Sequence, residues 1–255
     1  MAAVPNRLKA RLQAGEVTHG LWVTLGSPAA AELAGWCGFD WCLVDSEHGP
    51  NGLSGIQAQL QALAGTPSEA MVRVPVNEAW VIKQALDLGA QSVMVPMVNT
   101  AEDAARAVAA VRYPPGGIRG IGGVVARAGR WGAVPDYTAT ADPEILLMVQ
   151  AESAAAVQNI DAIAATDGVD CVFIGPSDLA ADLGLFGQPQ HPDLVAAVER
   201  IITRTRAAGK IAGILSFDPA SWPVYREMGA QLIAVGAESF ELRARLQELA
   251  ARARG

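Results

Sequence analysis

The sequence predicts an α/β protein of the (β/α)8 class, a TIM barrel, and three observations carry that prediction. Eight short apolar, β-branched runs alternate with Ala- and Leu-rich stretches of helical period. A glycine followed two residues later by Asp or Gln leads into every second run: Gly38-Phe-Asp40, Gly89-Ala-Gln91, Gly168-Val-Asp170 and Gly229-Ala-Gln231. The chain has 255 residues, or about 32 per strand-helix unit, and barrels of this class typically run to about 250. One domain spanning residues 1–255 is expected. A doubly wound open sheet is the alternative, but no G-x-G-x-x-G follows the first strand and no G-x-x-x-x-G-K-[ST] occurs.

In chain order the expected strands are Gly20 to Leu25, Asp40 to Val44, Met71 to Val74, Ser92 to Val95, Ile145 to Gln150, Asp170 to Ile174, Ile211 to Leu215 and Leu232 to Val235. Each repeated glycine is expected to end a helix in a left-handed cap, with the polar residue turning the chain into the next strand. The segment from Arg112 to Pro143 is long and rich in Pro, Gly and Arg. It follows the fourth helix and so lies at the barrel floor, which favours a scaffold or an oligomer contact over a catalytic lid. Leu242, Leu246 and Leu249 fall at i, i+4 and i+7, an amphipathic C-terminal helix that packs on its own barrel or on a neighbour.

Composition narrows the function. Hydrophobic residues make up 51% and charged residues 18%, so the interior is large and the surface lean. The net charge of −7, with no basic run, argues against nucleic acid or an anionic membrane and for a small-molecule substrate. Pro5, Asn6, Arg7, Lys9 and Arg11 break the opening residues, so no signal sequence is expected and the location should be cytoplasmic. Cys37, Cys42 and Cys171 are odd in number and sit in apolar stretches, which suggests buried, reduced thiols.

Barrel active sites gather at the C-terminal strand ends, so the polar residues there are the candidates. Strand two ends in Asp45-Ser46-Glu47-His48-Gly49, strand three in Arg73-Val-Pro75, strand five in Gln150-Ala-Glu152, and strand six runs into Gly175-Pro176-Ser177-Asp178. Glu152 and Asp178, with Gln150 and water, suit a hard divalent cation such as Mg²⁺, Mn²⁺ or Co²⁺, the alternative being carboxylates bonded to loop amides. His48 is placed as a base whose ring Asp45 could hold, while His19 and His191 read as structural. Arg73 could stabilise a developing enolate or carboxylate. The N–H groups of Gly175 and Ser177, opening a helix, could hold a small carboxylate. Glu47 reads equally as a supporting acid or a solvated one. Lys9, Lys83 and Lys210 all lie away from the rim, which counts against a Schiff-base mechanism.

Taken together, Gly-Phe-Asp-Trp-Cys-Leu-Val-Asp45-Ser-Glu-His48-Gly-Pro-Asn, Val-Arg73-Val-Pro, Met-Val-Pro-Met-Val-Asn99, Arg-Tyr-Pro-Pro-Gly-Gly-Ile-Arg119-Gly, Met-Val-Gln150-Ala-Glu152 and Phe-Ile-Gly-Pro-Ser-Asp178-Leu resemble the metal-dependent pyruvate aldolases of the HpcH/HpaI family. The resemblance runs from Gly20 to about Ala237. It implies a class II aldolase that reversibly cleaves 4-hydroxy-2-oxo acids to pyruvate and an aldehyde. It further implies that Glu152 and Asp178 bind the metal, that Arg73 stabilises the enolate, and that His48, paired with Asp45, handles the proton of the 4-hydroxyl. Trp22, Leu215 and Val235 are implied as pocket lining, and a hexamer with exchanged last helices as the assembly. Ser46 and Gly49 sit where relatives vary, which bears on the choice of aldehyde. Another lyase of the pyruvate/phosphoenolpyruvate barrel group, or a noncatalytic oxo-acid-binding barrel, are the rival classes.

Overall fold

A computed structural model describes residues 1–254. Its elements run α1 (Arg7–Gln13), β1 (Thr18–Val23), α2 (Pro28–Gly35), β2 (Trp41–Asp45), α3 (Leu53–Leu63), β3 (Glu69–Arg73), α4 (Ala79–Asp87), β4 (Ser92–Val95) and α5 (Ala101–Val111). They continue with α6 (Tyr137–Thr140), β5 (Leu146–Ala151), α7 (Ala154–Ala165), β6 (Cys171–Ile174), α8 (Pro176–Asp182), α9 (Pro192–Ala207), β7 (Ile211–Leu215), α10 (Ser221–Met228), β8 (Leu232–Ala237) and α11 (Glu238–Ala253). The eight strands are parallel and close in sequence order, β1 pairing with β8. All eight expected strands are present, with ends shifted by a few residues; His19 lies inside β1 rather than before it. The four repeated glycines have φ of 92°, 99°, 94° and 111°, the left-handed caps their spacing implied.

Period-two alternation sorts every strand into two layers. Trp41, Leu43, Met71, Met94, Leu146, Met148, Cys171, Phe173 and Leu232 point inward and form one buried cluster. The residues between them, including Cys42, Val44, Val72, Val93, Leu147, Val149, Val172 and Ile233, face the helices. A Cβ on Gly20 would lie 2.0 Å from the Trp41 ring, so glycine is what lets the indole fill the barrel's width. Leu8 and Leu12 of α1 join the inward cluster and plug the floor. Lys9 is held there by Asp170 at 3.0 Å.

The segment after α5 also belongs to the floor. Arg119 is fully buried, stacked on Tyr113 with its guanidinium 4.4 Å from the ring centroid, and reaches Asp87 at the end of α4. Ala3 donates to Thr140 and Asn6 to Glu144, tying the N-terminal strap to the same segment. It lies at the floor, on the side its position after the fourth helix implied, and Ile121, Val124 and Val125 on it are exposed.

Two expectations need correction and a third is narrowed. Cys37 is exposed at the end of α2, whereas Cys42 and Cys171 are buried, and burial pushes the Cys42 thiol up to about 12. Val235 packs outward against the helix layer, not into the mouth. Its strand carries one extra residue opposite β1, where Gly20 pairs with Ala234 but Trp22 with Ala237, so Ala237 takes the inward place above Ala234. No residue of α11 is buried, and Leu242, Leu246 and Leu249 are exposed, so the helix does not pack its apolar face on its own barrel.

Candidate active site

At the top of the barrel the inward positions turn from apolar to charged. Asp45 ends β2 above Leu43, Arg73 ends β3 above Met71, and Gln150 stands above Met148 on β5, with Glu152 two residues further. Asp45, Arg73, Gln150 and Glu152 are 1%, 6%, 2% and 3% exposed, so each must find its partner inside the protein.

Arg73 is the hub. Its Nε and one terminal nitrogen donate to the two oxygens of Asp45 at 2.9 and 2.6 Å, a bidentate pair. The other terminal nitrogen meets Glu47 at 2.8 Å and Gln150 Oε1 at 3.5 Å. The guanidinium also lies over Trp22, 5.6 Å from the ring centroid. Burial opposes its charge, but hydrogen bonding and attraction from Asp45, then Glu47 and Glu152, outweigh that and raise its pKa.

Glu152 is fixed from three sides. The Met97 N–H donates to Oε1 at 2.8 Å and the Gln150 amide to Oε2 at 2.9 Å. Gly175 completes the cradle, since a Cβ there would lie 2.3 Å from Oε2. Burial raises the Glu152 carboxyl to about 7; the Met97 bond works against this, and the charges of Glu47 and Asp178 add to it. Glu47 is likewise raised, by burial first, against the pull of Arg73 and His48. Asp178 sits exposed in the first turn of α8.

The expected pairing of Asp45 with the His48 ring is not made. Both Asp45 oxygens are taken by Arg73, and Oδ1 also accepts the N–H groups of Glu47 at 3.0 Å and His48 at 3.4 Å, so Asp45 shapes the turn through the backbone. The His48 side chain is 66% exposed, and Nε2 lies 3.9 Å from Glu47. Gln150 is no free ligand either, because its amide bridges Glu152 and Arg73. Trp22 and Leu215 do face the mouth, Trp22 beneath Arg73 and Leu215 against the inward cluster. Gly175 precedes α8 and Ser177 is exposed in its first turn. Lys9 is at the floor, Lys83 within α4 and Lys210 below β7, so no lysine reaches the rim.

Two contributors had no assigned role in the sequence. Glu47 lies two residues beyond the end of β2, in the turn whose Glu47 N–H donates to Asp45, and that turn brings it beside Arg73. Met97 holds its bond to Glu152 from a left-handed backbone, φ 53°, which costs a non-glycine residue on the order of 1 kcal/mol or more. Only its place just beyond strand four, after Pro96, hinted at it.

No three His, Cys, Asp or Glu side chains converge as a ready-made metal cage among the described residues. The donors present still fit a divalent ion in an open site. The charges of Glu47 and Asp178 raise the Glu152 carboxyl, Arg73 is the one arginine among them, and Glu152 is held in a cradle that admits no Cβ.

A closed parallel barrel with a buried arginine-carboxylate cluster at its C-terminal rim defines a (β/α)8 enzyme. Residues 18–244 match the model of the HpcH/HpaI aldolase/citrate lyase family, and the chain belongs to that family. It is 49% identical over 255 residues to the hydroxypyruvate/pyruvate aldolase of Agrobacterium fabrum, covering 100% of this chain and 96% of that one. It is 47% identical over 247 residues to the 4-hydroxy-2-oxo-heptane-1,7-dioate aldolase of Salmonella dublin, covering 97% and 94%. A crystal structure of an HpcH/HpaI aldolase/citrate lyase family protein from Burkholderia cenocepacia superposes with a TM-score of 0.93 at 44% identity, covering 98% of this chain and 100% of that one. The chain is thus a lyase.

Proposed function

We propose that this lyase reversibly cleaves 4-hydroxy-2-oxo acids to pyruvate and an aldehyde with the help of Mg²⁺, Mn²⁺ or Co²⁺. The observation that carries the reading is the rim cluster: a buried arginine paired with Asp45 and Glu47, next to the buried Gln150 and Glu152. The names of the two aldolase relatives point to the same chemistry.

Glu152 and Asp178 would hold the ion, which when bound supplies Lewis-acid polarisation of the 2-oxo group and charge for the enolate. Breaking the C3–C4 bond leaves an electron pair beside a carbonyl. Arg73 is charged at any working pH, and the terminal nitrogen not committed to Asp45 is the donor available to that enolate. The exposed imidazole of His48 takes the proton of the 4-hydroxyl, and Glu47, not Asp45, is the carboxylate near its ring. Gly175 and Ser177 border the substrate carboxylate, and Trp22 and Leu215 wall the mouth.

A pyruvate-release assay over a panel of 4-hydroxy-2-oxo acids tests this. Release should cease after exhaustive chelation and return with Mg²⁺, Mn²⁺ or Co²⁺, and Glu152→Ala and Asp178→Ala should each lose metal binding. Full turnover by the chelated protein would sink the metal role, and no release from any member would sink the reaction.

The same reading takes residues 1–255 as one barrel domain and places it in the cytoplasm, supported by three cysteines with no disulfide. It also takes the protein as a homohexamer that exchanges last helices, supported by the uncovered apolar face of α11. Among the described residues no helix is long and apolar enough to cross a membrane.

A further inference from the structure

The turn after β2 carries Glu47 and His48, and two side-chain amides with no part in the proposed chemistry set its shape. Asn51 Nδ2 donates to the Asp45 C=O at 2.6 Å, and the Asn51 N–H donates to the Gly49 C=O at 2.8 Å, so residues 45–51 close on themselves. Ser46 ties the same turn to β3, its N–H donating to the Arg73 C=O at 3.0 Å and its hydroxyl to the same oxygen. Asp45 therefore holds the turn twice, its side chain taking the Glu47 and His48 N–H groups and its carbonyl the Asn51 amide.

Which way round the Asn51 amide lies is decided by Gln59, fully buried on α3 beside Ile56, Leu60 and Leu63. Gln59 Nε2 donates to the Gly55 C=O at 3.1 Å and also to Asn51 Oδ1. A carbonyl can only accept, so Gly55 obliges Gln59 to present its NH2 group there. The same group grips Asn51 by its oxygen, which turns the Asn51 NH2 group toward Asp45. This relay is costly, because Gln59 Oε1 is buried and finds no partner among the described residues. An apolar side chain would fill that place on α3 without the cost.

We infer that Gln59 and Asn51 are positioning residues, which hold the turn where the His48 ring meets the 4-hydroxyl of the substrate. The inference rests on the aldolase reading above, in which His48 takes that proton. Arg73 stands on β3 and keeps Asp45 through its side chain, so the relay serves proton transfer and not the enolate. A turn free to shift by about 1 Å misplaces the ring and leaves the guanidinium where it is.

Two variants test this. Asn51→Asp keeps the shape and the acceptor for Gln59 but loses the donor to Asp45, and Gln59→Met keeps the length but loses the relay. In each, kcat for cleavage should fall about 10- to 100-fold with KM unchanged, while exchange of the pyruvate methyl protons holds. In a His48→Ala background neither substitution should cost cleavage anything further, because the ring they place is gone. Equal losses of cleavage and exchange, losses that add to that of His48→Ala, or wild-type kcat in both variants would overturn the inference. The His48 Hε1 resonance gives a reading without turnover, and it should move in Gln59→Met, which adds no charge. An unmoved resonance would also overturn the inference. If the wild type releases no pyruvate, the aldolase reading fails by itself and the resonance alone decides the relay.

Discussion

Trp41 and Asp45 stand on the inward face of β2, and Met71 and Arg73 on that of β3, yet the lower member of each pair packs among apolar side chains and the upper binds a charge. One alternation builds both halves of the interior, so the difference lies in residue type, not in backbone. Below, stability comes from filling volume, with Gly20 surrendering its side chain to Trp41. Above, buried charges are tolerated because each is answered: Asp45 by Arg73, Glu152 by Met97 and Gln150. Both levels should therefore support the fold, and the rim alone the chemistry.

The largest effect expected is at Arg73. Arg73→Ala strips the enolate of its donor and leaves Asp45 buried without a cation, so cleavage should fall on the order of 10³-fold. Stability should drop by about 3–5 kcal/mol. Met71→Ala, two residues lower, should cost about 2–5 kcal/mol through its cavity while kcat per folded molecule stays within a few-fold. Urea unfolding beside a cleavage assay measures both. Equal losses of kcat in the two variants would break the division between floor and rim.

His48 sharpens the contrast within the rim itself. It is exposed and bears no structural bond through its ring, so His48→Ala should leave stability unchanged while cutting cleavage on the order of 10²-fold. Exchange of the pyruvate methyl protons, followed by NMR, should be less affected, because that half of the reaction belongs to Arg73. Asp45→Asn should follow Arg73, losing exchange and stability together, since its side chain serves the guanidinium. A defect confined to cleavage would restore Asp45 to the imidazole.

How much of this could be read from the chain follows from what sets each feature. Strand order, inward positions and the four glycine caps are local, fixed by alternation and by backbone that only glycine adopts readily. The rim residues were legible as a set because they follow strands. Their pairing was not. Asp45 is three residues from His48 but lies beside Arg73 across paired strands, where Asp45 and Arg73 are register partners, and a bidentate guanidinium outcompetes a ring on a solvent-facing turn. Val235 was misplaced because its nearness to a strand end outweighed its alternation: Leu232 and Ala234 point inward, so Val235 faces the helices, and the extra residue in β8 only brings Ala237 inward above them.

A single methyl group should produce different failures at the two levels. Gly20→Ala drives a carbon into the Trp41 ring and should cost about 1–3 kcal/mol, with the metal affinity of the folded fraction intact. Gly175→Ala drives the same carbon into the Glu152 carboxylate and should weaken metal binding by about 10- to 100-fold with little change in unfolding. Calorimetric titration with Mn²⁺ and a urea melt of each variant compare them, and unchanged Mn²⁺ affinity in Gly175→Ala would remove the cradle from the argument.

The smallest effect expected is a slope in stability with pH. In the chelated protein Glu152 holds its proton up to about 7, whereas in the unfolded chain it ionises near the ordinary glutamate value of about 4.3. Between those limits the native state binds more protons than the unfolded one, so stability falls as pH rises through this window. The contribution is fully present below about pH 4 and lost above about pH 7, on the order of 1–3 kcal/mol in all. Other acids titrate in the same range, so the informative quantity is the difference between wild type and Glu152→Gln, whose amide never ionises. Between pH 5 and 7.5 the wild type should lose stability relative to Glu152→Gln, and saturating Mn²⁺ should cancel that loss by favouring the ionised form. Parallel curves for the two chelated proteins would mean that Glu152 is charged throughout, and the rim would then hold its carboxylates by hydrogen bonds alone.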